Sequence, residues 1–256
     1  MNKKHLISTA IVSYILFVLV YVPASAMVKF FNDSIPHINI EGATGTIWDG
    51  SAQRVTLNNQ YILDNANWSV CTWRLIIGEA CIDLTTSYDN NILQGEVGIN
   101  VFGTLIARNL QASLDAKELG ITLNLPVGEL SGDVSLNIET IKWNNEQLPD
   151  TDGAIKWRNA SITLTEKIEL GLISVHLSSS DEFPVTAMIN NKDGQISVEG
   201  HTNISDDGTY ALELRLKPGN NASSNLRKNL RMFTKKQPDG SYLVENSGNL
   251  KQLGII

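Results

Sequence analysis

The chain has 256 residues, 42% of them hydrophobic, so it is long and apolar enough to bury a core in one large domain or in two smaller ones. Its 20 basic and 27 acidic residues give a formal net charge of −7, which argues against broad nucleic-acid binding through phosphate neutralisation. Composition therefore excludes a disordered chain, and we expect no nucleic-acid partner.

The N-terminus has the pattern of a membrane segment. Two lysines and a histidine precede the uncharged run LISTAIVSYILFVLVYV, residues 6–22. Its 17 residues stand at the lower limit for a spanning helix and exceed the usual apolar core of a signal peptide. Ala24-Ser25-Ala26 has the form of a cleavage site, so a cleaved signal peptide is the alternative.

The positive-inside rule then orients the chain. We predict a cytoplasmic N-terminus over residues 1–5, a transmembrane anchor over 6–22 and a juxtamembrane segment over 23–36. The chain would cross the membrane once, and everything after about residue 27 would lie on the side away from the cytoplasm.

The stretch EGATGTIWDGSA, residues 41–52, contains glycines that invite comparison with a phosphate-binding loop. It lacks the lysine followed by Ser or Thr of a Walker loop, and it lacks the three glycines of a Rossmann loop. Thr46-Ile47-Trp48 favours a strand, and Asp49-Gly50 is a strong hairpin-turn dipeptide. We interpret the stretch as a turn within a sheet.

Cys71 and Cys81 are the two cysteines, and they lie ten positions apart. In an oxidising periplasm, on segments that fold back as a hairpin, such a pair forms a disulfide. A metal site is one alternative, but it would need further ligands, and the four histidines show no zinc-site spacing. Two buried free thiols are the other alternative.

Apolar residues recur at every second position from residue 37 onward, which is the period of strands with one buried face. Examples are found at residues 97–101, 121–125, 134–138, 173–177 and 210–216. Turn signals such as Lys192-Asp193-Gly194 separate these runs at the spacing of successive hairpins. The pattern predicts an all-β, mostly antiparallel fold.

A weak internal repeat indicates two related sheet halves. The segment that begins VTLNN at residue 55 resembles the segment that begins IKWNN at residue 141, and each follows a glycine-bearing stretch. We predict a first periplasmic β half over 37–125 and a second over 126–217. Chance similarity between asparagine-rich strands is the alternative.

Residues 218–256 form a basic helix and a C-terminal tail in this interpretation. Leu226, Leu230 and Phe233 share one helical face behind serine capping candidates. The same segment contains a basic cluster: Arg227, Lys228, Arg231, Lys235 and Lys236. We interpret it as a short surface helix that closes the end of the sheet, and contact of these residues with a membrane or an acidic partner is the alternative.

No sequence motif of catalysis is present. The chain lacks Gly-x-Ser-x-Gly, His-Glu-x-x-His, Cys-x-x-Cys and Ser-x-x-Lys. Its carboxylates are scattered through turns, and its five tryptophans stand in apolar runs that favour core or sheet-edge packing over sugar stacking. We expect no catalytic, cofactor-binding or metal-ligating residues, no cofactor and no small-molecule substrate.

Seven segments in succession resemble the type II secretion system protein N family. They follow the N-terminal apolar run in the family's order over nearly the whole chain: GATGTIWDGSA, NWSVCTWRL, LPVGELSGDVSL, GAIKWRNASI, DDGTYALELRLKPGN, NLRKNL and PDGSYLVENSGNL. The resemblance implies a bitopic inner-membrane protein of a Gram-negative bacterium. It also implies a long, open and curved β-sheet behind the transmembrane helix.

The implied function is protein transport, as an accessory and non-catalytic part of the machine that exports folded periplasmic proteins. The implied partners are other secretion subunits, namely the outer-membrane secretin and the inner-membrane platform. A membrane-anchored β groove that handles lipid or another apolar ligand is the alternative. A cell-wall enzyme is a third hypothesis, which requires carboxylates that converge in a cleft.

Overall fold

A computed structural model describes residues 3–26, 28, 32, 38–57, 61–88, 91–122, 128–144, 148–163 and 166–250 of the chain. Strands dominate, and the pairings between them are antiparallel, which confirms the predicted all-β class. The chain divides into two compact units, Met1–Gly98 and Ile99–Ile256. The predicted halves 37–125 and 126–217 stay predictions, as does the curvature of the sheet.

The first unit contains an N-terminal helix, α1 (Lys3–Val20), followed by a sheet. The strands are β1 (Ile38–Glu41), β2 (Thr44–Gly45), β3 (Asp49–Leu57), β4 (Tyr61–Val70), β5 (Glu79–Tyr88) and β6 (Asn91–Asn100). One helical turn, α2 (Thr72–Leu75), lies between β4 and β5. The sheet order is β1-β3-β4-β5-β6, with β2 also paired to β3. Chain neighbours are thus mostly sheet neighbours, as successive hairpins require.

The second unit is also built from successive antiparallel hairpins. It contains β7 (Leu105–Asp115), α3 (Ala116–Thr122), β8 (Glu129–Trp143), β9 (Asp150–Thr163), β10 (Lys167–Ser178), β11 (Val185–Lys192), β12 (Ile196–Ile204), β13 (Thr209–Pro218), α4 (Ser224–Phe233), β14 (Lys235–Lys236) and β15 (Tyr242–Asn249). Strands β7 to β13 pair in chain order, β15 pairs with β13, and β14 pairs with the far side of β15. Buried side chains such as Ile138, Leu170 and Ile196 form its core.

The period-two runs named above locate four of the strands, and one run is not a strand where the structure describes it. Residues 134–138, 173–177 and 210–216 lie in β8, β10 and β13, whereas Val101 lies in the turn after β6. The predicted strand at 121–125 is wrong at Ile121, which belongs to α3, and residues 123–125 lie outside the described residues. A helix forms there in place of a strand because residues 116–119 are Ala-Lys-Glu-Leu, all good helix formers. The Asp115 carboxylate also accepts the Lys117 N–H at 2.8 Å.

The stretch at 41–52 is a turn within a sheet, as predicted, but the turn residues are different. Asp49 and Gly50 begin β3, and residues 46–48 connect it to β2. The Thr46 N–H donates to the Asp49 carbonyl at 2.8 Å and closes the turn. Gly45 supplies the positive φ of 80° that the chain needs immediately before it.

The surface of helix α1 is more apolar than that of the sheet. Its large apolar side chains are exposed, for example Ile7, Tyr14 and Phe17 at 59%, 69% and 61%. Across the part of the chain that the structure describes, no helix combines the length and the apolarity needed to cross a membrane.

Cys71 and Cys81 are joined by a disulfide in the structure, with their Cα atoms 5.3 Å apart. The bond closes the connection between β4 and β5, and the Cys71 N–H also donates to the Cys81 carbonyl at 2.9 Å. Cys81 is buried at the start of β5. The bond therefore fixes one end of the sheet in the first unit.

We predict that the variant Cys71→Ser/Cys81→Ser is less stable by about 2–3 kcal/mol, because a closed loop of this length restricts the unfolded chain by roughly that much. Urea unfolding of the full chain in detergent, followed by tryptophan fluorescence, measures the difference. Wild-type protein treated with dithiothreitol should unfold at the same urea concentration as the variant. Alkylation of both thiols in unreduced protein from the periplasm would contradict the bond itself.

Candidate interaction surfaces

The outer edge of β15 is an open strand edge in the second unit. Strand β13 covers one side of β15 over residues 242–249, and β14 covers only Tyr242 and Leu243 on the other side. No other strand within the described ranges pairs with the outer side of residues 244–249. Unpaired backbone donors and acceptors on such an edge are a template for pairing with another chain.

Two hydrogen bonds identify which residues of β15 point their backbone outward. The Leu250 N–H donates to Gly208 on the β13 side, and the Gln237 N–H donates to the Ser241 carbonyl on the β14 side. Orientation alternates along an antiparallel strand, so odd-numbered residues face away from β13. Glu245 and Ser247, both exposed, therefore present their backbone N–H and C=O groups to the outside.

The corresponding edge of the first unit is blocked. Strand β1 has four residues, and the side chain of Asn32 bonds both polar groups of Ile40. The Ile40 N–H donates to Asn32 Oδ1 at 3.0 Å, and Asn32 Nδ2 donates to the Ile40 carbonyl at 3.4 Å. An asparagine side chain thus occupies the position that a further strand would take.

Helix α4 forms as the sequence predicts, and its serine cap attaches it to the sheet. Ser223 accepts the Leu226 N–H at 3.0 Å and donates its own hydroxyl to Glu166 at 2.8 Å. Leu226 is buried and Leu230 is half-buried, whereas the side chain of Phe233 lies outside what the structure describes. The amphipathic prediction is therefore met at the two leucines.

The basic cluster at α4 divides into two groups. Arg227 donates to the Gly219 carbonyl at 2.6 Å, Arg231 donates to the Tyr242 hydroxyl at 3.4 Å, and Lys235 lies 3.7 Å from Glu245. The two arginine contacts join the helix to the residue after β13 and to β15, and the lysine contact joins β14 to β15. Lys228 and Lys236 are exposed, and among the described residues neither side chain has a hydrogen bond or an ion pair. They are the two members available to a partner.

The turn between β14 and β15 depends on Asp239. The hydroxyl of Ser241 at 2.6 Å and its backbone N–H at 3.0 Å hold the pKa of the Asp239 carboxyl below its ordinary value. Because hydrogen bonds favour the charged form, Asp239 is a carboxylate at neutral pH.

The loop closed by Cys71 and Cys81 has an apolar tip. Helix α2 buries none of its residues, and Trp73, Ile76 and Ile77 are 60%, 87% and 65% exposed. The expectation that the tryptophans pack in the core or at the sheet edge is therefore wrong for Trp73. The sequence did contain a signal, because WRLII is an almost continuous apolar run between two cysteines.

Both cysteines of this loop form a cluster of potential metal ligands with Glu96 of β6. Ligand atoms of Cys71, Cys81 and Glu96 lie within 4.8 Å of one another. Zinc is bound by thiolate, and a disulfide offers none, so the oxidised pair does not form the zinc site considered above. Glu96 is instead engaged by Arg74 at 2.9 Å.

An apolar cavity of about 420 Å³ lies in the first unit, on the face of its sheet. Apolar side chains from β1, β3, β4 and β5 line it, together with residues that follow α1: Ala24, Val28, Ile38, Ile40, Ile47, Val55, Ala66, Trp68, Ile82 and Leu84. Its size and lining are those of a small-molecule pocket for an apolar ligand.

Comparisons with known proteins agree with the resemblance drawn from the sequence. The family model described as type II secretion system protein N matches residues 36–245. A curated relative, the type II secretion system protein N of Aeromonas hydrophila, is 25% identical over 245 residues, which cover 94% of this chain and 95% of the relative. No solved structure matches the chain. The chain belongs to the type II secretion system protein N family.

Proposed function

We propose that the chain is an accessory, non-catalytic component of the type II secretion system that acts through protein-protein contacts of its periplasmic β domain. Family membership supports a role in type II secretion and hence contact with other secretion subunits. The observation that supports the mode of contact is the open outer edge of β15. We further propose the outer-membrane secretin and the inner-membrane platform as the subunits contacted.

Strand addition at β15 is the physical basis of the contact. An extended segment of the partner pairs with the outward N–H and C=O groups of Glu245 and Ser247. Main-chain bonds supply affinity, and they depend little on side-chain identity, so a partner strand needs only the correct spacing. The exposed Lys228 and Lys236 add attraction for an acidic partner surface in the same unit.

The N-terminus anchors the domain in the inner membrane in this proposal. Helix α1 and the two residues after it contain the uncharged run 6–22, and the apolar side chains described on α1 face outward. Lipid would remove this apolar surface from water. Lysines at positions 3 and 4 orient the helix with its N-terminus in the cytoplasm.

A second candidate function rests on the apolar cavity in the first unit. A pocket lined by Ile40, Val55, Trp68 and other apolar residues is suited to an acyl chain or another apolar ligand. In that case the β domain would carry a lipid and would bind no secretion subunit. Phospholipid captured in place of secretion subunits distinguishes the two.

We predict that Ser247→Pro weakens subunit capture by roughly tenfold, because loss of one outward N–H and of strand pairing costs about 1–2 kcal/mol. Proline is tolerated on an edge strand at a residue whose N–H faces outward, so the fold should persist. Ser247→Ala keeps the N–H and is the matched control. Periplasmic crosslinking of the natively expressed chain, solubilisation and mass spectrometry measure the capture.

Equal capture by the proline and alanine variants would exclude the β15 edge as the contact. Recovery of lipid-transport proteins or of phospholipid alone would instead favour the apolar-ligand function. Urea unfolding midpoints of both variants show whether the domain remains folded.

We predict that Lys228→Glu/Lys236→Glu lowers capture by about three- to tenfold, since exposed ion pairs contribute roughly 0.2–1 kcal/mol each. Higher ionic strength should shrink the difference between variant and wild type. The matched control is Lys142→Glu/Lys192→Glu, which makes the same charge change at two other exposed lysines of the second unit. A similar loss in both double variants would mean that net charge, and not position, decides binding.

We predict that the full chain stays in the membrane pellet after an alkaline carbonate wash. Ile11→Arg/Ile15→Arg should release it, because each charge costs roughly 2–3 kcal/mol at the centre of a bilayer. Ile11→Leu/Ile15→Leu is the control and should remain in the pellet. A mature chain whose mass lacks residues 1–26 would show a cleaved signal peptide and contradict the anchor.

A further inference from the structure

The disulfide-closed loop, residues 71–81, presents an apolar tip that the fold of the first unit leaves uncovered. Trp73, Leu75, Ile76 and Ile77 are all exposed, and Ile76 reaches 87%. Four large apolar side chains within five consecutive positions form a concentrated patch. Patches of this kind mark a surface that is covered in the working protein.

The one cation of the tip is turned inward. Arg74 lies 3.3 Å from Glu79 and 2.9 Å from Glu96, and its guanidinium stands 4.8 Å from the centre of the Trp73 ring. Its side chain is 15% exposed. Because Glu79 and Glu96, the latter on β6, hold the arginine toward the sheet, the apolar tip carries no unpaired cation.

Backbone hydrogen bonds place this tip at the end of the sheet where α1 joins it. The Ile47 N–H donates to the Val22 carbonyl at 3.1 Å, and Pro23 bridges Thr46. The Val70 N–H then donates to the Trp48 carbonyl at 2.7 Å, and Val70 precedes the loop. Neighbouring strands are about 4.7–4.9 Å apart, so the loop begins roughly 10–15 Å from the end of the anchor segment.

We propose that the tip of loop 71–81 inserts into the surface of the phospholipid bilayer to which the N-terminal segment 6–22 is proposed to anchor the chain. This inference rests on the proposed membrane anchor. Trp73 occupies the interfacial level, where the amphipathic ring of tryptophan is favoured, and Ile76 and Ile77 reach the acyl boundary. The anchor and the loop together give the first unit two attachments to one membrane.

The disulfide determines the presentation of the tip. With Cys71 joined to Cys81, the apolar residues cannot move away to pack against the sheet without distortion of both strand ends. The bond thus keeps four apolar side chains exposed at the end of the sheet. Because folding already orders the loop, insertion into the bilayer costs little further conformational entropy.

The test uses the full chain reconstituted in vesicles of phosphatidylethanolamine and phosphatidylglycerol. A diazirine amino acid replaces Ile76, and after illumination mass spectrometry measures the fraction of chain bonded to lipid. The control places the same probe at Ile92, which is 62% exposed at the opposite end of the same sheet. Ten residues of β5 separate the two ends, a distance of about 30 Å.

We expect at least about tenfold more lipid adduct at Ile76 than at Ile92, as burial of an isoleucine side chain favours lipid by more than that factor. Quenching of Trp73 by brominated phospholipid, taken as the difference from Trp73→Phe, gives a second readout. Ile76→Asp should reduce this quenching, and Ile92→Asp should leave it unchanged. Both substitutions are at exposed positions, so the fold is retained.

The outcomes separate the loop from the anchor. Equal adduct at the two positions, in protein that still floats with the vesicles after a carbonate wash, overturns the loop inference and leaves the anchor intact. Protein that does not float with the vesicles after this wash would overturn both the loop inference and the proposed anchor. In native membranes, adducts from Ile76 to a protein and not to lipid would replace the bilayer with a protein partner and also overturn the inference.

Discussion

The antiparallel hydrogen-bond ladder is the constraint on which the other features of this protein depend. Each strand satisfies its backbone donors and acceptors through its neighbours, so a meander of hairpins is satisfied everywhere except at its edges. The two units differ in how they treat those edges. Asn32 covers Ile40 in the first unit, whereas the outer side of β15 has only the two residues of β14 beside it. The ladder therefore leaves one accessible template for a partner strand in the second unit.

The connections between strands carry the remaining distinctive chemistry. Between β13 and β15 the chain forms α4, whose arginines bond to the sheet while Lys228 stays exposed. Between β4 and β5 a disulfide and an inward-facing Arg74 create a rigid loop with an apolar tip. In both cases arginine side chains are paired within the domain, and the exposed residues beside them remain available to a partner. Loops held on a rigid scaffold are the usual location of binding residues.

The distribution of these surfaces is consistent with a component that joins a membrane to a protein machine. The first unit contains α1, which we propose as the membrane anchor, together with the apolar loop and the apolar cavity. The second unit contains the open strand edge and the exposed lysines. The proposed membrane contacts and the proposed protein contacts thus belong to different units of the same chain.

The sequence by itself determined the class of the fold and the family. A period of two requires no tertiary information, because alternate side chains point to opposite faces of any strand, and it located β8, β10 and β13 correctly. Helix α4 was equally predictable, since a serine cap and two leucines four positions apart are local signals. Local signals failed where two of them competed. At Ile121 the preceding helix formers outweighed the period-two pattern of apolar residues. The turn predicted at Asp49-Gly50 is formed instead by residues 46–48.

Only the tertiary structure decided which residues form surfaces. Exposure of Trp73, the inward ion pairs of Arg74 and the outward backbone of Ser247 all depend on partners far away in the chain or on the parity of strand register. The blocked edge at Ile40 depends on the side chain of Asn32, eight positions earlier in the chain. Sequence spacing does not reveal these contacts, because they form only when the pairing and register of the strands bring the groups together.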